Sequence, residues 1–513
     1  MIKVLLLLIF FGVMIAVGLY SRKTATDVNG FVLGGRSVGP WLTAFAYGTS
    51  YFSAVVFVGY AGQFGYKYGL SSTWIGLGNA IIGSLMAWVV LGRRTRVMSK
   101  HLQSATMPDF FGKRYHSKAI RIVSALIAFI FLIPYTSSVY NGLSRLFGMA
   151  FDIDYTVCII VMAILTGVYV IAGGYMATAI NDFIQGIIML FGIVAVILAV
   201  LNSKGGFLAA LDQLAKVSDE TVSTTPGVFN SFFGPDPINL IGVVILTSLG
   251  TWGLPQMVQK FYAIKSEQSI TKGTIISTLF AGVVAGGCYF LGGFGRLFLT
   301  PDEVADMGFD AIVPSMLANL PDILIAIVVI LVLSASMSTL SSLVLTSSST
   351  LTLDFISGTI VKKMSEQAKL VWLRALVVVF IIISSIIALI QYSSNVTFIA
   401  QLMGVSWGAL AGAFLAPFLY SLYWKGTTKV SCWACFIFGS CLMVANMLVR
   451  SSFPTLLQSP INCGAFAMLA GFVIVPVFSL ISKKPSDKLV EEAFSSYERP
   501  VTVMSKNILE EED

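Results

Sequence analysis

Between Ser334 and Thr350, 11 of 17 residues are serine or threonine, in a stretch that is otherwise apolar. On a helix, Ser338, Ser341 and Ser342 follow i, i+3, i+4 spacing and share one face, while Thr339 and Ser342 share the adjoining one. Hydroxyl and carbonyl oxygens with few formal charges suit a hard monovalent cation, which must trade its hydration shell for neutral dipoles. The same hydroxyls would also serve packing, because serine and threonine bond the carbonyl four residues back and let helices approach closely. Asp182 is a second candidate. It stands alone at the head of the apolar run Asn181-Asp182-Phe183-Ile184-Gln185-Gly186-Ile187-Ile188-Met189. Deep in a bilayer an acid costs about 3 kcal/mol and marks function; near the interface it costs far less and can simply cap a helix. The pattern alone does not give its depth.

Two other apolar stretches carry helix breakers near their middles: Ala46-Tyr47-Gly48-Thr49-Ser50-Tyr51-Phe52-Ser53, and Thr247-Ser248-Leu249-Gly250-Thr251-Trp252-Gly253-Leu254-Pro255. Proline removes a backbone donor and clashes with the preceding turn, and clustered glycines weaken a helix further. In lipid a broken backbone survives only where protein or a watery cavity receives the freed polar groups. The breaks fall five spans apart. That spacing is expected of inverted repeats whose broken first helices line a site at the membrane midplane. Two kinked packing helices would leave the same residues.

The elements that position these residues must cross a membrane. Of 513 residues 56% are apolar and 11% charged, against the roughly 25% charged that a water-facing surface uses. A span needs about 20 apolar residues. Thirteen segments qualify: 2–21, 40–66, 70–92, 120–148, 154–174, 180–201, 237–258, 273–297, 322–349, 372–391, 395–422, 429–449 and 463–482. The first runs into Ser21-Arg22-Lys23 without a small-residue cleavage site, so it reads as an uncleaved span. Residues 1–482 form one transmembrane domain, with core repeats at about 40–201 and 237–422, and 483–513 form a short, mobile tail of mixed charge. With the N-terminus outside, 25 of the 32 Lys and Arg fall inside, including Arg93 to Arg121, Lys260, Lys265 and Lys272. Asp212, Asp219, Glu220, Asp236, Asp302, Glu303, Asp306 and Asp310 fall outside. The positive-inside rule therefore predicts an outside N-terminus and a cytoplasmic C-terminus in the cell membrane.

This distribution explains the net charge of +7 without nucleic acid. No GxxxxGK[ST] phosphate loop occurs, so a nucleotide-driven pump is excluded and coupling must draw on a gradient. Cys432-Trp-Ala-Cys435 has redox spacing but sits in a continuous apolar segment, where packing is its role. The only histidines, His101 and His116, lie in one basic loop and offer no imidazole metal cluster. Nothing marks an enzyme. The alternatives to a sodium-coupled carrier are a transporter-like solute sensor, which lacks an effector domain here, and a proton-coupled carrier, which a base at Ser338 or Thr339 would favour. No cofactor beyond a coupling ion is expected, and the chain is expected to work as a monomer.

Three motifs in order resemble the sodium:solute symporter family over nearly the whole chain. They are Phe31-Val32-Leu33-Gly34-Gly35-Arg36-Ser37-Val38-Gly39-Pro40, Gly173-Gly174-Tyr175 followed by Asn181-Asp182-Phe183-Ile184-Gln185, and Met337-Ser338-Thr339-Leu340. The resemblance implies an all-α membrane protein with a LeuT-like inverted repeat of five plus five helices, one extra helix before it and two after. It implies a sodium site formed by the carbonyls of Thr49, Phe52 and Ala335 and the hydroxyls of Ser338 and Thr339. Sialic-acid members of the family imply a second sodium at Asp182, Ser338, Ser341 and Ser342. The solute is expected near Ser53, Tyr135, Trp252 and Pro255. Tyr51 stands where proline symporters carry an acid, Thr247 and Thr251 replace two of their aromatics, and Val55-Val56-Phe57 replaces the amide of sugar carriers. Tyr66-Lys67-Tyr68-Gly69-Leu70 is similar to the pantothenate branch. The implied cargo is sodium with a small organic solute, an amino acid such as proline or a carboxylate such as pantothenate.

Overall fold

An apolar run in lipid must satisfy each backbone N–H and C=O within itself, and the α-helix does so without partners. The computed structural model describes residues 2–151, 154–318, 320–357, 359–361, 363–394 and 399–497, and among them there is no β-strand, only isolated bridges. The long helical elements are α1 (Ile2–Ser21), α2 (Pro40–Tyr51), α3 (Val55–His101), α4 (Lys118–Phe151) and α5 (Tyr155–Asn202). There follow α6 (Pro237–Gly253), α7 (Pro255–Ala263), α8 (Glu267–Gly292), α9 (Asp322–Thr350), α10 (Glu366–Ser394), α11 (Ile399–Tyr423), α12 (Lys429–Leu448), α13 (Pro460–Ile481) and α14 (Asp487–Phe494).

Among the described residues ten helices are long and apolar enough to cross a membrane, or up to eleven if the bent pair α6–α7 counts as one span. The sequence divides the chain more finely. Its segments 154–174 and 180–201 lie on the two sides of a kink within α5, at the non-helical Gly174 (φ 53°, ψ −142°). Segment 70–92 merges into α3, which turns at Gly69 with φ 63°. Of segment 395–422, residues 395–398 lie outside the described residues.

The hydroxyl-rich helix lies inside the bundle. α9 packs against α5, α4, α2 and α1. Of its most apolar window 72% is buried, against 22% for α1 at the periphery. The outer helices instead present large apolar side chains such as Leu8, Phe191, Leu279, Val371 and Leu480, the surface a lipid solvent requires. α3 and α8 meet backbone to backbone: a Cβ on Gly65 would lie 2.0 Å from the Gly292 carbonyl carbon.

Ahead of α2, Gly34, Gly35 and Arg36 are all left-handed (φ 58°, 67° and 55°). This reversal turns the Arg36 guanidinium onto the carbonyls of Ser104 at 2.5 Å and Tyr262 at 3.3 Å. Val38 then bridges to the end of α7, donating to Ala263 O at 3.3 Å and accepting from Lys265 N at 2.9 Å. Cys432 and Cys435 are buried and unpaired. The tail differs from expectation. Residues 487–497 dock on the end of α3 and the short helix Met107–Arg114 that follows it: Phe494 is buried beneath the Arg114 guanidinium, and the Tyr497 hydroxyl donates to Arg94 O at 3.2 Å. An aromatic pair in an otherwise polar segment supplies the apolar anchor that charge composition hides. Residues 498–513 of the tail lie outside the described residues.

Candidate functional site

α2 ends because Phe52 leaves the helical region (φ −100°, ψ 103°). The last carbonyls of a helix have no intrahelical partners, and they carry the negative end of its dipole. The Thr49 carbonyl accepts from Phe52 N at 3.2 Å, and it and the Phe52 carbonyl also lie against α9. There the Ser338 hydroxyl lies 3.1 Å from Thr49 O and 3.0 Å from Ala335 O. The Thr339 hydroxyl lies 3.2 Å from Thr49 O, 3.4 Å from Phe52 O and 3.1 Å from Ala335 O. All five residues implied as the first cation site meet in one buried cluster. Each hydroxyl has one proton and can donate to one carbonyl at a time, so oxygens outnumber donors.

The other implied set comes together differently. Asp182 is fully buried, eight residues past the Gly174 kink, and neither carboxylate oxygen accepts a hydrogen bond among the described residues. The Ser338 hydroxyl belongs to the first cluster, and the Ser341 hydroxyl donates to Ser338 O at 3.0 Å. Ser342 is joined to Asp182 through a residue the sequence assigns to a cytoplasmic loop. Lys260, 2% exposed on α7, places Nζ 3.0 Å from Ser342 Oγ and 3.8 Å from Asp182 Oδ2. Ser342 Oγ also contacts Ser50 Oγ of α2 at 2.8 Å.

The second break is Leu254, extended between α6 and α7 (φ −83°, ψ 123°), with the two halves bent by 46°. Pro255 opens α7, where its missing N–H costs nothing. Of the residues expected around the solute, the Ser53 hydroxyl accepts from Val55 N at 3.2 Å and so caps the resumed helix. The Trp252 indole donates to Ile82 O at 2.9 Å. The Tyr135 ring meets Trp407 edge-on at 5.8 Å, and its hydroxyl has no hydrogen-bond partner among the described residues. Trp407 packs against Gly250, where a Cβ would lie 2.7 Å from the indole, so one aromatic links α4 to the second break. Sequence reasoning missed Gln256, fully buried just after Pro255 with both side-chain amide atoms unpartnered among the described residues. Its signal was an amide directly after a helix break in an apolar segment.

A cavity of about 1180 Å³ opens among segments that the sequence places outside, lined by Lys67, Asp219, Asp236, Arg296, Asp306 and Asp310 among others. At its wall Arg296 pairs with Asp219 at 2.8 Å. The Thr221 hydroxyl, and after it Arg296, hold the Asp219 carboxyl below its ordinary value of 3.8, against the opposing effect of burial. Ser53, Tyr135, Trp252 and Pro255 do not line this cavity. They are buried inside the bundle.

Residues 31–439 match the model of the sodium:solute symporter family. The chain is 30% identical over 493 residues to the osmoregulated proline transporter OpuE of Bacillus subtilis, covering 93% of this chain and 94% of that one. It is 30% identical over 497 residues to a sodium/proline symporter of Staphylococcus aureus, covering 94% and 93%. A Na+-coupled sialic acid symporter, solved in a substrate-bound outward-open state, shares the fold with a TM-score of 0.75 over 95% of this chain and 99% of that one, at 15% identity. The chain belongs to the sodium:solute symporter family. It is a multi-pass membrane transporter that couples a small solute to sodium, and not an enzyme.

Proposed function

We propose that the chain carries a compact amino acid, L-proline foremost, into the cell with sodium held by the carbonyls of Thr49, Phe52 and Ala335 and the hydroxyls of Ser338 and Thr339. The observation that carries the reading is the convergence of those five oxygens, with Thr339 Oγ1 within 3.4 Å of all three carbonyls. A buried cluster of five neutral oxygens suits a small monovalent cation, which exchanges its hydration shell for such dipoles.

Proline is favoured because the full-length relatives are proline carriers by name and because the region between the breaks is apolar with few polar groups. The Tyr135 hydroxyl and the Gln256 amide can take the charged ends of a zwitterion, and the N-terminal end of α7 favours a carboxylate. Ser53, Trp252 and Pro255 shape the same region. Dividing α5 at Gly174 and α3 at Gly69, joining α2 to the first part of α3 and counting α6–α7 as one span gives thirteen helices, a LeuT-like five plus five with one before and two after. The acidic cavity segments then face outside and the docked tail faces the cytoplasm.

Uptake of labelled L-proline into reconstituted vesicles, in sodium and in choline, tests the reading, with pantothenate and other amino acids as competitors. Uptake should need sodium and be competed by compact amino acids. Equal uptake in choline removes the sodium site, and competition by pantothenate alone removes the solute assignment.

A further inference from the structure

Among the described residues Lys260 is the one buried lysine: 2% exposed, its ammonium between Asp182 and Ser342 and 5.1 Å from the face of the Tyr175 ring. A buried carboxylate needs a cation close by, since an unpaired charge in a low-dielectric interior is far costlier than a paired one. A sodium ion and an ammonium cannot both occupy the space between the same carboxylate and serine. They are like charges, and they compete for the same oxygens. An ammonium has three donors and no acceptor, so Ser342 can satisfy one donor and Asp182 another after a small shift.

We infer that Lys260 is a tethered cation standing where the sequence motifs imply a second sodium, so that this transporter binds and moves one sodium per solute. The inference rests on the reading that the Thr49–Thr339 cluster holds the transported ion. It also gives Ser342 a positioning role. That hydroxyl receives the ammonium on one side and meets Ser50 on the other, at 2.8 Å, in the half-helix whose carbonyls build the first cluster. α7 is thus fixed to α2 through α9 by a charge that never leaves the protein.

The test is equilibrium binding of radioactive sodium to the purified full-length protein, which needs no knowledge of the solute, followed by sodium titrations of proline uptake in vesicles. The parent should bind one sodium with a Hill coefficient near one. Lys260→Met, which keeps the length and removes the charge, should bind two and shift the Hill coefficient toward two, and adding Asp182→Asn to it should return both to one. Should Lys260→Met fail to fold, Asp182→Asn in the parent background decides: one sodium before and after supports the inference, whereas a fall from two to one overturns it. A parent that binds two sodium ions, or a folded Lys260→Met protein that still binds one, also overturns it. A Ser338→Ala protein separates the premise from the inference, for unchanged sodium binding there refutes the first cluster and not the tethered cation.

Discussion

Thr339→Val replaces a hydroxyl by a methyl group of nearly equal size at the one side-chain oxygen that approaches all three carbonyls of the cluster, at 3.1, 3.2 and 3.4 Å. In the sodium-free protein the change removes one internal hydrogen bond, a net effect of about 1 kcal/mol on folding. With sodium bound, an oxygen directed at a charge is lost. An interaction of that kind contributes about 1.5–3 kcal/mol, and 1.4 kcal/mol is a factor of ten, so half-saturating sodium should rise at least about tenfold. Thr339→Ser keeps the oxygen and should stay within about threefold of the parent, a difference of roughly 0.6 kcal/mol. The assay is initial-rate proline uptake into vesicles over a sodium series at fixed membrane potential, with melting temperature as the control for folding. A folded Thr339→Val protein whose half-saturating sodium lies within about twofold of the parent would refute the cluster as the coupling site.

Three other outcomes are expected. Tyr135→Phe removes a hydroxyl that bonds nothing among the described residues, so proline KM should rise several-fold and the competition profile change while thermal stability holds; a parental profile places the solute elsewhere. Gly65→Ala forces a Cβ to within 2.0 Å of the α8 backbone, so overpacking should cost about 1–3 kcal/mol of stability; Gly286→Ala on the same helix pair, with nothing within 4 Å of its Cβ, should leave the detergent-solubilised melting temperature unchanged. The lowered Asp219 carboxyl contributes stability that is fully present above its unfolded value of 3.8 and is lost as pH falls through the lower folded value. Melting temperatures of the parent and Asp219→Asn should therefore differ near neutral pH, and the gap should close as pH falls from 3.8 through the lower folded value; a constant gap would refute that origin.

The hydroxyl run on α9 was legible because an apolar helix with eleven hydroxyls has few uses other than a polar seam, and the breaks at Phe52 and Leu254 because glycine and proline act through the local backbone. Lys260 was not legible. A hydropathy window ending at 258 hands the next lysine to a loop, and nothing local says that α9 and α5 cover it. Without Lys260 the inside still holds 24 of the 32 basic residues, so the expected orientation is unchanged. Asp182 shows the same limit from the other side: its residue type suggested a site, and only the packed neighbours reveal that it is fully buried beside a fixed cation. Gln256 had a local signal, the amide after Pro255, whereas Trp407 depends on contacts with Tyr135 and Gly250, far away in the chain, which one sequence does not contain.

The short bridge between Val38 and Ile264 has a mechanical consequence. It ties the entry of α2 to the exit of α7 by two backbone hydrogen bonds, while the opposite ends of the same two half-helices stop at Phe52 and Leu254, residues without helical backbone. α2 and α7 are thereby joined twice, at this bridge and again through Ser342 of α9, which touches Ser50 on one side and Lys260 on the other. A tilt of either half-helix should therefore pull on the other and on the contacts that Ser342 holds.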